Sequence, residues 1–262
     1  VLLAPLNPRL LDWNGLRVWI IGASSGIGAA LAQELLGRGA RVALSARNRE
    51  ALQEVAAGRD SALVLPMDVT DAAAWEASHA LLRAQWGTPD LVLFCVAHAQ
   101  YEPERAWDVH TPAARAMIEV NLVSVYCGLE TVLPSLLERG TGGVAIVASV
   151  AGYLGLPNAS VYGPTKAALI NLAELLYADL HPRGLGVYLI NPGFVKTRLT
   201  ARNAFPMPGL QTPEQAATRI RIGLEQGRFE IAFPRSFTLP LRLFGLLPYR
   251  LRFFLLRRAL GA

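Results

Sequence analysis

The chain has 262 residues, 52% of them hydrophobic and 17% charged, enough to bury the core of one α/β domain, and no linker composition divides it. Its net charge of +5 is local: residues 235–262 hold six arginines (Arg235, Arg242, Arg250, Arg252, Arg257, Arg258) and no acid, so setting them aside leaves −1 for residues 1–234, and with no recognition fold around the basic stretch nucleic-acid binding is excluded. Cys95 and Cys127 lack the spacing of a metal site or a disulfide framework, which leaves buried, reduced thiols and a cytoplasmic setting as the expectation.

The first residues, "VLLAPLNPRLLDWNG", place prolines and Asp12 where a secretory signal needs an unbroken apolar core. No stretch reaches the roughly 18 uncharged apolar residues of a membrane span, so a soluble or peripheral protein is expected. Six short apolar runs follow at 16–22, 40–46, 62–68, 90–97, 143–149 and 186–192. None alternates strictly with polar residues, the pattern of strands buried on both faces of a parallel sheet. Helical periodicity fills the intervals at 27–38, 49–57, 72–86, 112–139, 164–181 and 213–226. The alternation predicts an α/β fold: a doubly wound parallel sheet with helices on both faces, spanning residues 1–234, with a basic, apolar C-terminal extension at 235–262. Ligands of such sheets bind at the carboxyl ends of the strands.

At the end of the first strand stands "GASSGIG", with Gly22, Gly26 and Gly28 entering a helix. Glycine weakens regular structure, so this density marks a turn where backbone approach matters, as in the cradle of a dinucleotide pyrophosphate at a helix N-terminus. The second strand ends in Ala46-Arg47, where a site for the unphosphorylated cofactor usually has an acid for the ribose 2′-hydroxyl. Arginine pairs with a 2′-phosphate, so NADP(H) is expected, with NAD(H) the alternative.

Ser149 ends the fifth run, and Tyr162 and Lys166 follow at the start of a helix that tolerates Pro164 in its first turn. Four residues apart, the phenol and the ammonium share one helix face. A free phenol has a pKa near 10, and a neighbouring ammonium lowers it into the range of a working acid/base. Ser149 is placed to hydrogen-bond the substrate oxygen beside it. By itself a Tyr-x-x-x-Lys spacing is more often a packed ring and a solvated charge.

Taken together, Gly22-Ala-Ser24-Ser25-Gly26-Ile27-Gly28, Asp68-Val69, Asn121, Ser149, Tyr162-Gly-Pro-Thr-Lys166 and Asn191-Pro192-Gly193-Phe-Val195-Lys-Thr197 resemble, in order and spacing, the short-chain dehydrogenase/reductase family over about residues 14–200. The resemblance implies a Rossmann-type fold and hydride transfer between a nicotinamide and a carbonyl or alcohol carbon. It implies Tyr162 as proton carrier, Lys166 as its tuner and a ligand of the nicotinamide ribose, and Ser149 as holder of the substrate oxygen. Asn121 would hold a water linking Lys166 to solvent. Asp68 and Val69 would border the adenine, and the backbone after Pro192-Gly193, with Val195 and Thr197, would bind the carboxamide. The glycine turn from Gly22 to Gly28, including Ser24, Ser25 and Ile27, would contact the cofactor. Two positions depart from the family pattern: Ile21 stands for a threonine, and Cys95-Val96-Ala97 for Asn-Ala-Gly beside the adenine ribose.

His98, after that altered turn, is either a second proton carrier or an ordinary loop histidine, and Glu102 and Glu104 read as loop solvation. Residues 198–212, with Phe205, Met207 and Leu210, occupy the family's substrate-lid position and suit a hydrophobic, lipid-like substrate or simply pack on the domain. The 235–262 segment interleaves arginine with leucine and phenylalanine, which suits either a peripheral contact with the cytoplasmic membrane surface or burial against another subunit. By resemblance, helices 112–139 and 164–181 would form a homodimer or homotetramer. A cofactor-binding regulatory or scaffold protein without turnover is the rival reading, and no metal site is expected.

Overall fold

In a computed structural model that describes residues 4–98, 105–201 and 206–260, the six apolar runs become six parallel strands: β1 (Arg17–Ile21), β2 (Arg41–Ser45), β3 (Ala62–Val64), β4 (Leu91–Phe94), β5 (Gly143–Val147) and β6 (Gly186–Pro192). A seventh, β7 (Glu230–Phe233), extends the sheet to the order β3-β2-β1-β4-β5-β6-β7. Glu102, Glu104 and Phe205 lie outside the described residues.

Helices α1 (Gly26–Leu36), α2 (Arg49–Ala56) and α7 (Pro213–Glu225) cover one face, and α3 (Ala72–Trp86), α5 (Ser124–Arg139) and α6 (Tyr162–Leu180) the other. Neighbouring strand residues point to opposite faces, so Val18 and Ile20 enter the first core while Trp19 and Ile21 enter the second. Both cores are apolar, which is why the runs lacked alternation. In the second, Trp19 meets Trp75 edge to face at 5.6 Å and donates from Nε1 to Ser45 Oγ at 2.9 Å, so the indole's polar tip is satisfied inside the sheet.

The long run expected at 112–139 is divided. Helix α4 (Thr111–Ile118) passes through a π-helical segment, Glu119–Val123, into α5. By length and mean hydropathy 111–139 is apolar enough to cross a membrane, but Val125, Leu129, Val132 and Leu136 pack into the second core. Strand β3 is shorter than its run because Pro66 interrupts it, yet Leu65 N–H still donates to Leu44 O and Met67 N–H to Ala46 O, carrying the chain to Asp68. Both cysteines are free and neither residue is wholly enclosed; the Cys95 thiol itself is buried as expected, while that of Cys127 lies nearer the surface.

The amino end of the sheet is tied by polar groups. Asp90 accepts from Arg17 Nη2 at 2.7 Å and from Arg139 Nη1 at 3.1 Å. The buried Asn7 side chain donates to Val187 O at 2.6 Å and accepts from Val187 N–H at 2.9 Å, continuing the ladder where β7 has not yet begun. Beyond β7, α8 (Arg235–Gly245) and α9 (Tyr249–Leu260) form two helices. The extension is attached to the domain, since Phe237 packs on Phe194 at 5.4 Å between ring centres.

Candidate active site

The opposite, carboxyl edge of the sheet gathers the chemistry. Each glycine of the β1–α1 turn has a separate reason to be glycine. Gly22 has φ +89 and a Cβ there would lie 2.7 Å from the Cys95 carbonyl oxygen; one on Gly28 would lie 2.2 Å from Gly22 O; Gly26, at φ +56, would meet the Thr197 methyl at 3.0 Å. The turn thus brings the ends of β1 and β4 and the segment after β6 into contact. Gly22 and Ala23 N–H groups both donate to Ser45 O, so backbone bonds tie the strand ends despite Ile21 in the place of a hydroxyl residue. Ser25 is the N-cap of α1 and its own side chain makes no capping bond; the Gly28 amide is turned to the Cys95 thiol, which leaves the remaining first-turn amides and the helix dipole to meet an anion. Ser24 and Ile27 flank these positions and are half-buried. These features fit a dinucleotide pyrophosphate.

Arg47 is exposed just beyond β2, and the next residue, Asn48, caps α2 by accepting from Ala51 N–H at 2.8 Å. Asp68 accepts from the Thr70 amide at 3.0 Å and hydroxyl at 2.8 Å, and these bonds, helped by the Arg47 charge, hold its carboxyl below the usual range. Val69 is buried and its carbonyl accepts from Trp75 Nε1.

The three catalytic candidates come from β5 and α6. Ser149 caps a 3-10 turn, Val150–Gly152, where its Oγ accepts from Ala151 N–H at 3.1 Å, so its own proton is left for another acceptor. That turn is pressed onto α6: a Cβ on Gly152 would lie 2.7 Å from the backbone at Lys166 and Ala167. Tyr162 opens α6, and Lys166 follows one turn later, buried, with Nζ donating to Val147 O at 3.1 Å and lying 5.6 Å from the centre of the Tyr162 ring. Burial pulls the Lys166 pKa down to about 8, only partly offset by Cys95. Burial likewise pushes the Cys95 thiol up to about 11 against the pull of Lys166 and the Gly28 amide, so the thiol is neutral in the physiological range.

Asn121 sits in the π-helical segment, fully buried. Its Oδ1 accepts from His98 N–H at 2.6 Å and its Nδ2 donates to His98 O at 2.8 Å and to Thr165 Oγ1 at 3.3 Å. The expanded turn thereby aims one amide at both the β4 exit and α6. Among the described contacts, the site uses the backbone of His98 rather than its imidazole. Val96 is half-buried and Ala97 exposed. After β6, Gly193 N–H donates to Phe233 O at 2.7 Å, and Val195 bridges to Gln211, closing the base of the 198–212 segment. Thr200 reinforces it by donating to Val195 O at 2.6 Å.

The glycine turn, Cys95, Asn121, Ser149, Tyr162, Lys166 and Thr197 are therefore brought to one region, while Arg47 and Asp68 lie along the edge at β2 and β3. Sequence reasoning missed Thr165 and the Val147 carbonyl, whose roles are set by tertiary contacts, and also Tyr153 and Glu230. Among the described residues no cluster of His, Cys, Asp or Glu could hold a metal ion.

Residues 17–205 match the family model for short chain dehydrogenase. A Myxococcus xanthus protein named as an uncharacterized oxidoreductase is 35% identical over 235 residues, covering 87% of this chain and 91% of that one. The 2-keto-3-deoxy-L-fuconate dehydrogenase of Xanthomonas campestris is 36% identical over 192 residues, 73% of this chain and 61% of that protein. The crystal structure of a short-chain dehydrogenase from Streptomyces avermitilis superposes with a TM-score of 0.78 at 26% identity, covering 87% of this chain and 92% of that one.

Proposed function

The chain belongs to the short-chain dehydrogenase/reductase family of oxidoreductases, and on that premise we propose that it interconverts a carbonyl and a secondary alcohol on a hydrophobic, lipid-like substrate with NADP(H), Tyr162 carrying the proton. The observation that carries this reading is the buried Lys166 ammonium held between Val147 O and the Tyr162 ring. A buried charge costs several kcal/mol unless compensated, and a scaffold without turnover has no chemical use for it at that place.

Bound nicotinamide supplies or accepts the hydride. Lys166 stabilises the developing phenolate of Tyr162. Ser149, whose oxygen accepts from Ala151 N–H and whose proton has no acceptor among the described residues, donates to the substrate oxygen, and Asn121 keeps the β4 exit and α6 in register. The Gly22–Gly28 turn with Ser24, Ser25 and Ile27 holds the pyrophosphate; Asp68, Val69 and the Cys95-Val96-Ala97 exit border the adenosine; Pro192, Gly193, Val195 and Thr197 orient the nicotinamide. Arg47, exposed and with no acid in the family's ribose-binding position, supports NADP(H) over NAD(H).

The substrate class rests on the apolar lid residues Met207 and Leu210 and on the extension, where Leu239, Leu243, Leu246, Tyr249, Phe253 and Phe254 are exposed among the arginines. That combination supports docking at the cytoplasmic membrane surface. A homodimer or homotetramer through α4–α5 and α6 completes the reading.

The test is titration with NADPH and NADH followed by nicotinamide fluorescence, then turnover with medium-chain ketones. Tighter NADPH binding that weakens in Arg47→Ala, with turnover lost in Tyr162→Phe while binding persists, supports the proposal. Tighter NADH binding rejects the role of Arg47, and equal turnover in Tyr162→Phe rejects the mechanism. Flotation with anionic vesicles tests the surface: a full chain that stays in the dense fraction rules out membrane docking.

A further inference from the structure

Glu230 opens β7 and its carboxylate gathers three parts of the chain. Oε1 accepts from Tyr153 Oη at 2.6 Å and from Asn191 Nδ2 at 2.8 Å, and Oε2 pairs with Arg242 of α8. Tyr153 closes the 3-10 turn that Ser149 caps, its N–H donating to Val150 O. Asn191 is the residue before Pro192-Gly193 and is fully buried. A single carboxylate offers enough lone pairs for two donors and a cation, which no neutral side chain of that size does.

We propose that Glu230 is a positioning residue: it fixes the Ser149 turn against the end of β6, and so sets the substrate oxygen relative to the segment that orients the nicotinamide. The inference rests on the proposed function for its consequence and on this geometry for its cause. Ser149 lies on a short turn with two anchors. One is Gly152 pressed on α6; the other is the phenol of Tyr153 on Glu230. Without the carboxylate, a part-buried phenol and a buried amide whose Oδ1 already lacks a partner among the described residues are both left to find new acceptors, and the turn, unlike the end of β6, is held in no strand ladder. Burial and the bond to Glu230 both push the Tyr153 hydroxyl up, so it remains a donor throughout the working pH range. Arg242 is largely exposed and adds little to the anchoring.

The experiment compares Glu230→Gln, Glu230→Leu and Arg242→Ala in the full chain by hydrogen exchange and, with 2-nonanone and NADPH, by steady-state kinetics. Glutamine keeps an acceptor for Tyr153 and Asn191, and leucine keeps none. In Glu230→Leu the amides of 150–153 and 193–195 are expected to exchange about tenfold faster with β1, β4 and β5 unchanged, while Glu230→Gln and Arg242→Ala stay near the wild type. Turnover is expected to fall at least about tenfold in Glu230→Leu with NADPH affinity within about threefold, and to be restored in Glu230→Gln. Unchanged exchange in the turn, or equally faster exchange across the whole sheet, overturns the inference. A wild type that binds NADPH but reduces no ketone counts against the proposed function, and the exchange data still decide the role of Glu230.

Discussion

Lys166 lies beneath Tyr162, its ammonium 5.6 Å from the centre of the ring and one turn further along the same helix. Since burial lowers its pKa to about 8, the charge that the proposed mechanism sets beside the phenolate is present below that pH and lost above it. The kcat/KM for carbonyl reduction is therefore expected to be level at neutral pH and to fall, approaching tenfold per unit, above about pH 8. A pH–rate profile measures it, and a flat profile to pH 10 contradicts the role of the ammonium.

The same shift has a sign for stability. A lysine whose pKa drops from 10.5 to about 8 on folding binds fewer protons folded than unfolded between those values, so this group destabilises below pH 8 and the cost is relieved as pH rises towards 10.5. Lys166→Met is expected to gain roughly 2 kcal/mol at pH 7, less the loss at the Val147 carbonyl, while abolishing turnover. Thermal unfolding of both proteins at pH 7 and pH 9.5 reads this, the gain shrinking at the higher pH.

Gly28→Ala forces a methyl to within 2.2 Å of the Gly22 carbonyl, and backbone cannot yield as a side chain can. Stability is expected to fall by about 2 kcal/mol or more, with NADPH affinity falling at least about tenfold as the turn opens. Gly155→Ala has open space around it and serves as the control, within about 0.5 kcal/mol of the wild type.

At the other edge of the sheet, burial works to raise the Asp90 pKa, but hydrogen bonds from Arg17 and the charges of Arg17 and Arg139 outweigh it and leave the carboxyl below its ordinary value. Its stabilisation is present above the unfolded carboxylate pKa and lost as pH falls through the folded one. Asp90→Ala is expected to cost roughly 2 kcal/mol at pH 7, since two part-buried guanidinium groups lose their counter-charge and keep only backbone carbonyl acceptors, with kcat and NADPH affinity unchanged. Chemical denaturation beside steady-state kinetics separates the two effects.

The six strand runs were readable because strands buried on both faces carry unbroken apolar stretches, and the glycine turn because its spacing has few other uses. Strand β7 was not. Its four residues, Glu-Ile-Ala-Phe, include the carboxylate whose three partners come from elsewhere in the chain. The π-helical segment was equally hidden, since Glu119–Val123 has an ordinary helical composition and only the placement of Asn121 reveals the extra residue. His98 drew attention for its imidazole, whereas its contribution to the site is a peptide unit, which any residue type could supply. Phe237, too, gives no local sign in the sequence that it packs on Phe194.

The bridge between Val195 and Gln211, with Lys196 N–H donating to Gln211 O at 2.8 Å, fixes the two ends of the segment after β6 side by side whatever lies between them. Once the ends are held, the entropy of a loop changes only slowly with its length. The segment from 197 to 210 is therefore expected to accept a change of length at this neck with β6 and α7 left where they are. Its length and composition are thus expected to vary independently of the frame that carries Ser149, Tyr162 and Lys166.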